Sequence, residues 1–199
     1  MKVQLDRYDQ SDYDRGRPGW FILLWWLVQG TLFRFSLHPM YGFRRRLLRA
    51  FGMQVGKGAK IRPSARFTYP WKVTIGGHSW VGDEAVFYSL DQITIGDHCV
   101  VSQKTYLCTG SHHLQKVSFD LITAPITLET GSWAAAGAFI HPGVTLGEYA
   151  VAAARSNVTK NIPANEIHGG NPAAFLKSRF PDVGTAGEKP LKQAQGAGI

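Results

Sequence analysis

The chain has 199 residues, 44% hydrophobic and 18% charged, which is enough apolar material for one buried core and too much for a disordered polymer. Two cysteines, 22 glycines and 10 prolines exclude a disulfide scaffold, zinc-finger spacing and a collagenous composition, so Cys99 and Cys108 read as small core residues of a reduced protein. The net charge of +8 is local: residues 1–66 hold 13 basic and 4 acidic groups, residues 67–199 hold 9 and 10, and residues 15–66 carry eleven basic groups and no acid. That basic segment is also the most apolar one, which argues against nucleic acid as its partner.

In chain order, the first element is the apolar run Trp20–Val28, continuing through Gln29-Gly30-Thr31 to Leu32-Phe33. Its 14 residues fall short of the ~20 that a helix needs to span a bilayer. It also begins behind four acids and lacks a small-x-small cleavage site, so it is a poor signal peptide. Pro18 suits the first turn of a helix starting near Gly19. A second helix is expected from Phe43, with Phe43, Leu47, Leu48 and Phe51 on one face, Arg44, Arg45, Arg46 and Arg49 largely elsewhere, and Gly52 able to end it. Two readings of residues 18–51 stay open. In one, both helices pack on the body of the protein with solvated arginines. In the other they lie on a membrane surface, tryptophans at headgroup depth and arginines on anionic lipid, each worth ~1 kcal/mol.

From residue 51 the chain repeats every six residues. Leu128, Ala134, Ile140, Leu146, Ala152 and Val158 stand six apart, and four positions after each come Ser132, Ala138, Val144, Ala150, Ser156 and Ile162, nearly all small. The same register runs through Val55-Ile61-Phe67, Ile75-Val81-Phe87 and Ile95-Val101-Leu107, with offsets of eight between these runs that leave two extra residues at some corners. A hexapeptide period is the mark of a parallel β-helix: three hexads make a triangular coil, the aliphatic residue points into the prism, and coils stack through backbone hydrogen bonds. The organisation expected is an N-terminal helical segment over 1–50, the β-helix over 51–180, and a mobile tail over 181–199 that is rich in Gly, Ala, Lys and Gln.

One interruption stands out. Leu107 to Leu128 spans 21 residues, read as three more than a full coil, and the pattern vanishes between Gly110 and Pro125. A loop ejected at about 110–125 is therefore expected, and it carries His112 and His113 near its base.

Several stretches carry a resemblance: Leu47-Leu-Arg-Ala-Phe-Gly52, Cys108-Thr-Gly-Ser-His112, Trp133-Ala-Ala-Ala-Gly-Ala-Phe-Ile-His-Pro-Gly-Val144, Ala154-Arg-Ser-Asn-Val-Thr-Lys160 and Gly170-Asn-Pro172. In them the chain resembles the hexapeptide-repeat, left-handed β-helix acyltransferases that use acetyl-CoA. Within that family it is most similar to the colanic-acid-type exopolysaccharide O-acetyltransferases, over roughly residues 15–180. The resemblance implies a left-handed prism and a homotrimer with acetyl-CoA and the acceptor in clefts between prisms. Thr109-Gly-Ser-His112 matches the Thr-x-x-His motif that supplies the catalytic base. A sugar hydroxyl is a poor nucleophile, and a neutral imidazole can take its proton as it attacks the thioester. His113 is the rival for that role.

The family often has an Asn or an acid one and a half coils earlier, where this chain has Asp83-Glu84-Ala85, so Glu84 is a second catalytic candidate against its plain reading as a solvated corner carboxylate. Ala135, Ala136 and Gly137 match the small residues beside the pantetheine arm. Ala154, Ser156, Thr159 and Lys160 match a stretch near the adenine and phosphates. After Gly170-Asn171-Pro172 the family places basic residues; Ala173-Ala174 departs from this and leaves Lys177 and Arg179. Adjacent His112 and His113 cannot easily ligate one zinc, and no His-x4-His occurs, so no metal is expected.

The function so implied is acetyl-CoA-dependent O-acetyl transfer to a sugar hydroxyl of an exopolysaccharide or its lipid-linked precursor. The place implied is the cytoplasm or the inner face of the cytoplasmic membrane, with peripheral contact through residues 18–51. Two alternatives stand beside it: an acetyltransferase for a small soluble acceptor (free sugar, serine, antibiotic), and a non-catalytic β-helix scaffold at the membrane.

Overall fold

The computed structural model describes residues 2–181, so the tail expected over 181–199 lies, but for Pro181, outside the described residues. From Gln54 onward the hexads form strands of two or three residues, each hydrogen-bonded in parallel to the strand one coil away. The first face of the prism stacks Gln54–Val55, Val73–Ile75, Ile93–Ile95, Ile126–Leu128 and Thr145–Leu146. The third stacks Arg66–Phe67, Val86–Tyr88, Tyr106–Cys108, Phe139–Ile140 and Asn157–Val158. The second face is longer. It stacks Lys60–Ile61, Trp80–Val81, Val100–Val101, Trp133–Ala134, Val151–Ala152 and Glu166–Gly170, and the last folds back antiparallel as Ala173–Ser178. This is the expected left-handed parallel β-helix.

The repeat residues point inward and are buried, from Val55, Ile61 and Phe67 through to Val158 and Ile162. Coils lie so close that some corners exclude a side chain: a Cβ built on Gly82 would sit 2.5 Å from the Gln103 nitrogen of the next coil. The early coils are 20 residues long by register (Val55↔Ile75, Ile75↔Ile95) and a later one is 18 (Leu128↔Leu146), the difference being the two extra residues at the corner between the third and first faces.

The interruption needs correcting. Leu107 pairs with Ile140 on the third face and Leu128 with Ile95 on the first, so the 21-residue step turns a single corner and passes no full coil. The segment is also more ordered than an irregular loop, because Gly110–His112 pairs antiparallel with Leu121–Thr123 as a hairpin standing off that corner.

The N-terminal helices close the open end of the prism. Helix α1 (Gly19–Val28) begins directly after Pro18 and runs on through a π-helical turn, Gln29–Phe33. Helix α2 (Tyr41–Ala50) ends where Met53 N–H donates to Leu48 O (3.0 Å) and Gly52 takes a φ of 89°. A terminal coil has no neighbour to cover its core or pair its backbone, and the cap does both. Trp25, Phe33 and Leu48 are buried in one core with Phe51, Ile61 and Phe67. Trp25 Nε1–H donates to Phe67 O (2.9 Å), Phe67 N–H donates to Gln29 Oε1 (2.7 Å), and Arg45 and Arg49 donate to the carbonyls of Ala59 and Val55.

The picture of solvated arginines fails at Arg44, which is fully buried. Its Nε donates to Ile61 O (2.6 Å), Nη1 to Ser36 Oγ (2.8 Å) and Leu37 O (2.9 Å), and Nη2 to His38 O (2.7 Å). Burial, with a smaller push from the Arg62 charge, moves its pKa down from the ordinary value, and the polar cradle offsets the cost of burial. Helix α1 is apolar on both sides, with Ile22 and Trp25 inward and Trp20, Leu23, Leu24, Trp26 and Leu27 outward. Among the described residues no helix is long and apolar enough to cross a membrane.

Candidate functional site

The corner between the third and first faces is built from hydroxyls. Tyr69 N–H donates to Ser89 Oγ (2.9 Å), and one coil on, the buried Thr109 takes the matching place. Thr109 Oγ1 donates to Tyr88 O (2.7 Å) and accepts from Asp91 N–H (2.9 Å), which pins the point where the chain leaves the prism. Three residues later His112 ends the first strand of the hairpin, opposite Leu121.

The half-buried His112 ring is held on three sides. It stacks on Phe119 (centroids 4.3 Å apart, 8° between planes), and Tyr8 of the N-terminal segment tilts against it at 5.8 Å. Its Nδ1 lies 2.9 Å from Phe119 O. A carbonyl only accepts, so Nδ1 carries the proton, and in the neutral ring Nε2 is left with a free lone pair. Phe119 adopts a left-handed backbone (φ 51°), a conformation that costs a non-glycine residue about 1–2 kcal/mol. His113 is different. It is exposed and bound through its backbone to Asp120 O (2.9 Å), and its ring has no hydrogen-bond partner among the described residues.

The N-terminal segment runs past this hairpin, with Gln4 N–H donating to Val117 O (2.9 Å) and Tyr13 Oη–H to Leu90 O (2.7 Å). Between them lies a cavity of about 400 Å³ lined by Asp9, Asp12, Tyr13, His113, Lys116 and Asp120, among others. Hydrogen bonds from Ser118 and Lys116 hold the Asp120 carboxyl below the ordinary carboxylate range, so the cavity is lined with charge.

The remaining sequence candidates fall elsewhere. At the corner between the second and third faces, Lys104 N–H donates to Asp83 O, Gly137 N–H to Gln103 O and Arg155 N–H to Ala136 O (2.9, 3.0 and 2.9 Å). That ladder gathers Glu84, Ala135, Ala136, Gly137 and Ala154 along one edge. Glu84 is exposed and faces a groove beside the cap, away from the hairpin. The N–H groups of Ala136 and Ala154 have no partner among the described residues, and with side chains this small a thin ligand can lie against the backbone there. Ser156 closes the same corner from within, its buried hydroxyl donating to Ala153 O (2.6 Å).

Thr159 and Lys160 are exposed and follow the third-face strand Asn157–Val158, so they lie at the hairpin's corner. Lys177 is exposed on the outermost strand of the second face, opposite Ile167. Within one chain, His112 and the Ala135–Gly137 edge therefore stand on opposite margins of the third face. Phe119, Tyr8 and the two free amides were not legible in the sequence. A backbone carbonyl or amide leaves no residue-type signal, and Tyr8 lies in a stretch without periodicity.

Comparison with known proteins supplies a context for this geometry. No protein-family model matches the chain. It is 47% identical over 165 residues to WcaF of Escherichia coli (strain K12), named as a candidate colanic acid biosynthesis acetyltransferase; the match covers 83% of this chain and 91% of that one. A hexapeptide-repeat acetyltransferase of Vibrio cholerae O1 biovar eltor, solved with acetyl-CoA, is 28% identical with a TM-score of 0.69, covering 81% of this chain and 85% of that one. A galactoside acetyltransferase solved with coenzyme A is 25% identical with a TM-score of 0.75, covering 85% and 86%.

Proposed function

The chain belongs to the hexapeptide-repeat acetyltransferases, and from that membership we propose that it transfers an acetyl group from acetyl-CoA to a sugar hydroxyl of an exopolysaccharide or its lipid-linked precursor, with His112 as general base. The observation that carries the base assignment is the Nδ1–H bond to Phe119 O, which leaves Nε2 free to accept a proton. Acetyl-CoA supplies the activated acyl group. His112 takes the hydroxyl proton at Nε2 as the oxygen bonds to the acyl carbon, then returns it to the sulfur as the C–S bond breaks. The free N–H groups of Ala136 and Ala154 suit a thin amide-bearing arm and the charge that develops on the acyl oxygen. The relatives' names support the choice of acceptor, because both a colanic acid and a galactoside acetyltransferase are similar to this chain.

Because His112 and the Ala135–Gly137 edge lie on opposite margins of one face, a single prism does not assemble the reaction centre. Three prisms side by side bring the hairpin of each against the alanine edge of the next, and this is the homotrimer we propose. In that arrangement Thr159, Lys160 and Lys177 lie on rims where a phosphate-bearing cofactor runs, the two lysines as point charges and Thr159 as a hydroxyl donor. Glu84 lies at the cap end of the same edge, toward which an acceptor held by the neighbouring chain's hairpin would extend.

Calorimetric titration with acetyl-CoA and with CoA tests the reading. Saturable binding at one site per chain is expected; absence of binding up to millimolar ligand would contradict it and favour a scaffold.

A further inference from the structure

We propose that the outer surface of the N-terminal cap docks end-on against the headgroup layer of an anionic phospholipid bilayer. The cap has two apolar sides with different fates. Its inner side, with Ile22, Trp25, Phe33 and Leu48, is sealed against the prism. Its outer side leaves Phe35 80%, Leu37 69%, Trp20 67%, Leu23 63%, Leu27 63% and Leu32 59% exposed, all within 18 consecutive residues. Soluble surfaces rarely hold so dense a patch without a partner. The backbone beneath it is not loose, because Trp25, Gln29 and Arg44 tie the cap to the first coil.

Charge decides what the partner is. Arg44 is buried and Arg45 and Arg49 turn to prism carbonyls, but Arg17, Arg34 and Arg46 are exposed and no acid lies between residues 15 and 66, so a second copy brought cap to cap would set like charges together. Arg34 is exposed between Leu32 and Phe35, and Arg46 is exposed on α2. At Arg34 a groove of about 540 Å³ is lined by Trp26, Gly30, Arg34, Phe35 and Arg66, with Glu84 at its prism end. Large aliphatic and indole side chains bordered by arginines match the boundary between acyl chains and anionic headgroups. Since α1 is too short to cross the bilayer, the contact is interfacial. The proposal stands on the cap alone and does not depend on acyl transfer.

The test is flotation of the full chain with phosphatidylcholine vesicles, with and without phosphatidylglycerol, together with tryptophan emission. Co-flotation with the anionic vesicles, weakened by salt, and a blue shift from Trp20 and Trp26 are expected. Leu23→Glu/Leu27→Glu/Phe35→Glu, all at exposed positions, should lower vesicle binding about tenfold or more. The same variant should keep its thermal midpoint and its acetyl-CoA titration. Absence of the wild-type chain from both floating fractions, or equal flotation of the triple variant, overturns the proposal. So does cap-dependent self-association in sedimentation without vesicle binding, which would make a second copy the occupant. Loss of acetyl-CoA binding with flotation intact would count against the transferase reading only.

Discussion

Replacing His112 by alanine is expected to lower kcat for acetyl transfer by about 10²–10⁴-fold, the range that a positioned general base contributes. The affinity for acetyl-CoA should hardly change, because a general base acts on the acceptor hydroxyl in the transition state, while the proposed cofactor edge holds its ligand through the backbone amides of Ala136 and Ala154. The hairpin should survive as well: its strand pairing runs through the backbones of Gly110–His112 and Leu121–Thr123, and the imidazole adds a stack on Phe119 and one hydrogen bond. His113→Ala should stay within a few-fold of wild type, since nothing orients that ring. Unchanged turnover in His112→Ala, with a large loss in His113→Ala, would move the base by one residue. Unchanged turnover in both would remove general-base catalysis from this loop. The measurement is steady-state kinetics beside a calorimetric Kd, so that chemistry and binding are read separately.

The second large effect is on stability. Arg44→Ala should destabilise the folded chain by about 3 kcal/mol or more, because it strips the donor from three backbone carbonyls and leaves a cavity beneath the cap. For a chain of this size that corresponds to a fall in Tm of roughly 10 °C. Arg44→Lys should lie between alanine and wild type, since one ammonium cannot reach the diverging targets that the guanidinium fork meets together. The loss should begin at the N-terminal end, because a solenoid unit is held by its neighbours and the first coil has only the cap on that side. Hydrogen exchange at Ile61 and Phe67 would register this ahead of Leu146 and Val158. An alanine variant that melts with wild type would show that the buried guanidinium contributes nothing net.

Most of the prism was legible because its rule is written in side chains: an aliphatic residue every six positions, a small one four later, and glycines where coils nearly touch. The handedness came with the resemblance, since period alone does not set it. The corner at Leu107–Leu128 was misjudged because 21 residues can be a coil and a bit or one long corner, and only the strand partners distinguish them. Arg44 was misjudged for a related reason. Four clustered arginines look alike on a helical wheel, and which of them turns inward depends on where unpaired carbonyls of the first coil happen to lie.

At the candidate site, Thr109 and His112 were singled out through the resemblance, whose Thr-x-x-His motif they match. The groups around His112 and along the alanine edge were not legible: the Phe119 carbonyl, the Tyr8 ring arriving from 104 residues away in the chain, and the amides of Ala136 and Ala154. Backbone groups and long-range neighbours have no local code. The split of the site between two margins of one face is likewise a property of the coil and becomes visible only when the corners are stacked.

The central claim is that the base of one chain serves the cofactor edge of another, and mixed oligomers test it most directly. His112→Ala chains keep the alanine edge, and Ala154→Trp chains, with an indole filling that exposed edge, keep the base; each should be inactive alone. Co-assembled at equal amounts, random pairing predicts recovery of about a quarter of wild-type activity, since half of the sites receive an intact base and half of those an intact edge. Mixed oligomers that form and stay inactive would contradict the account and return the reaction centre to a single chain.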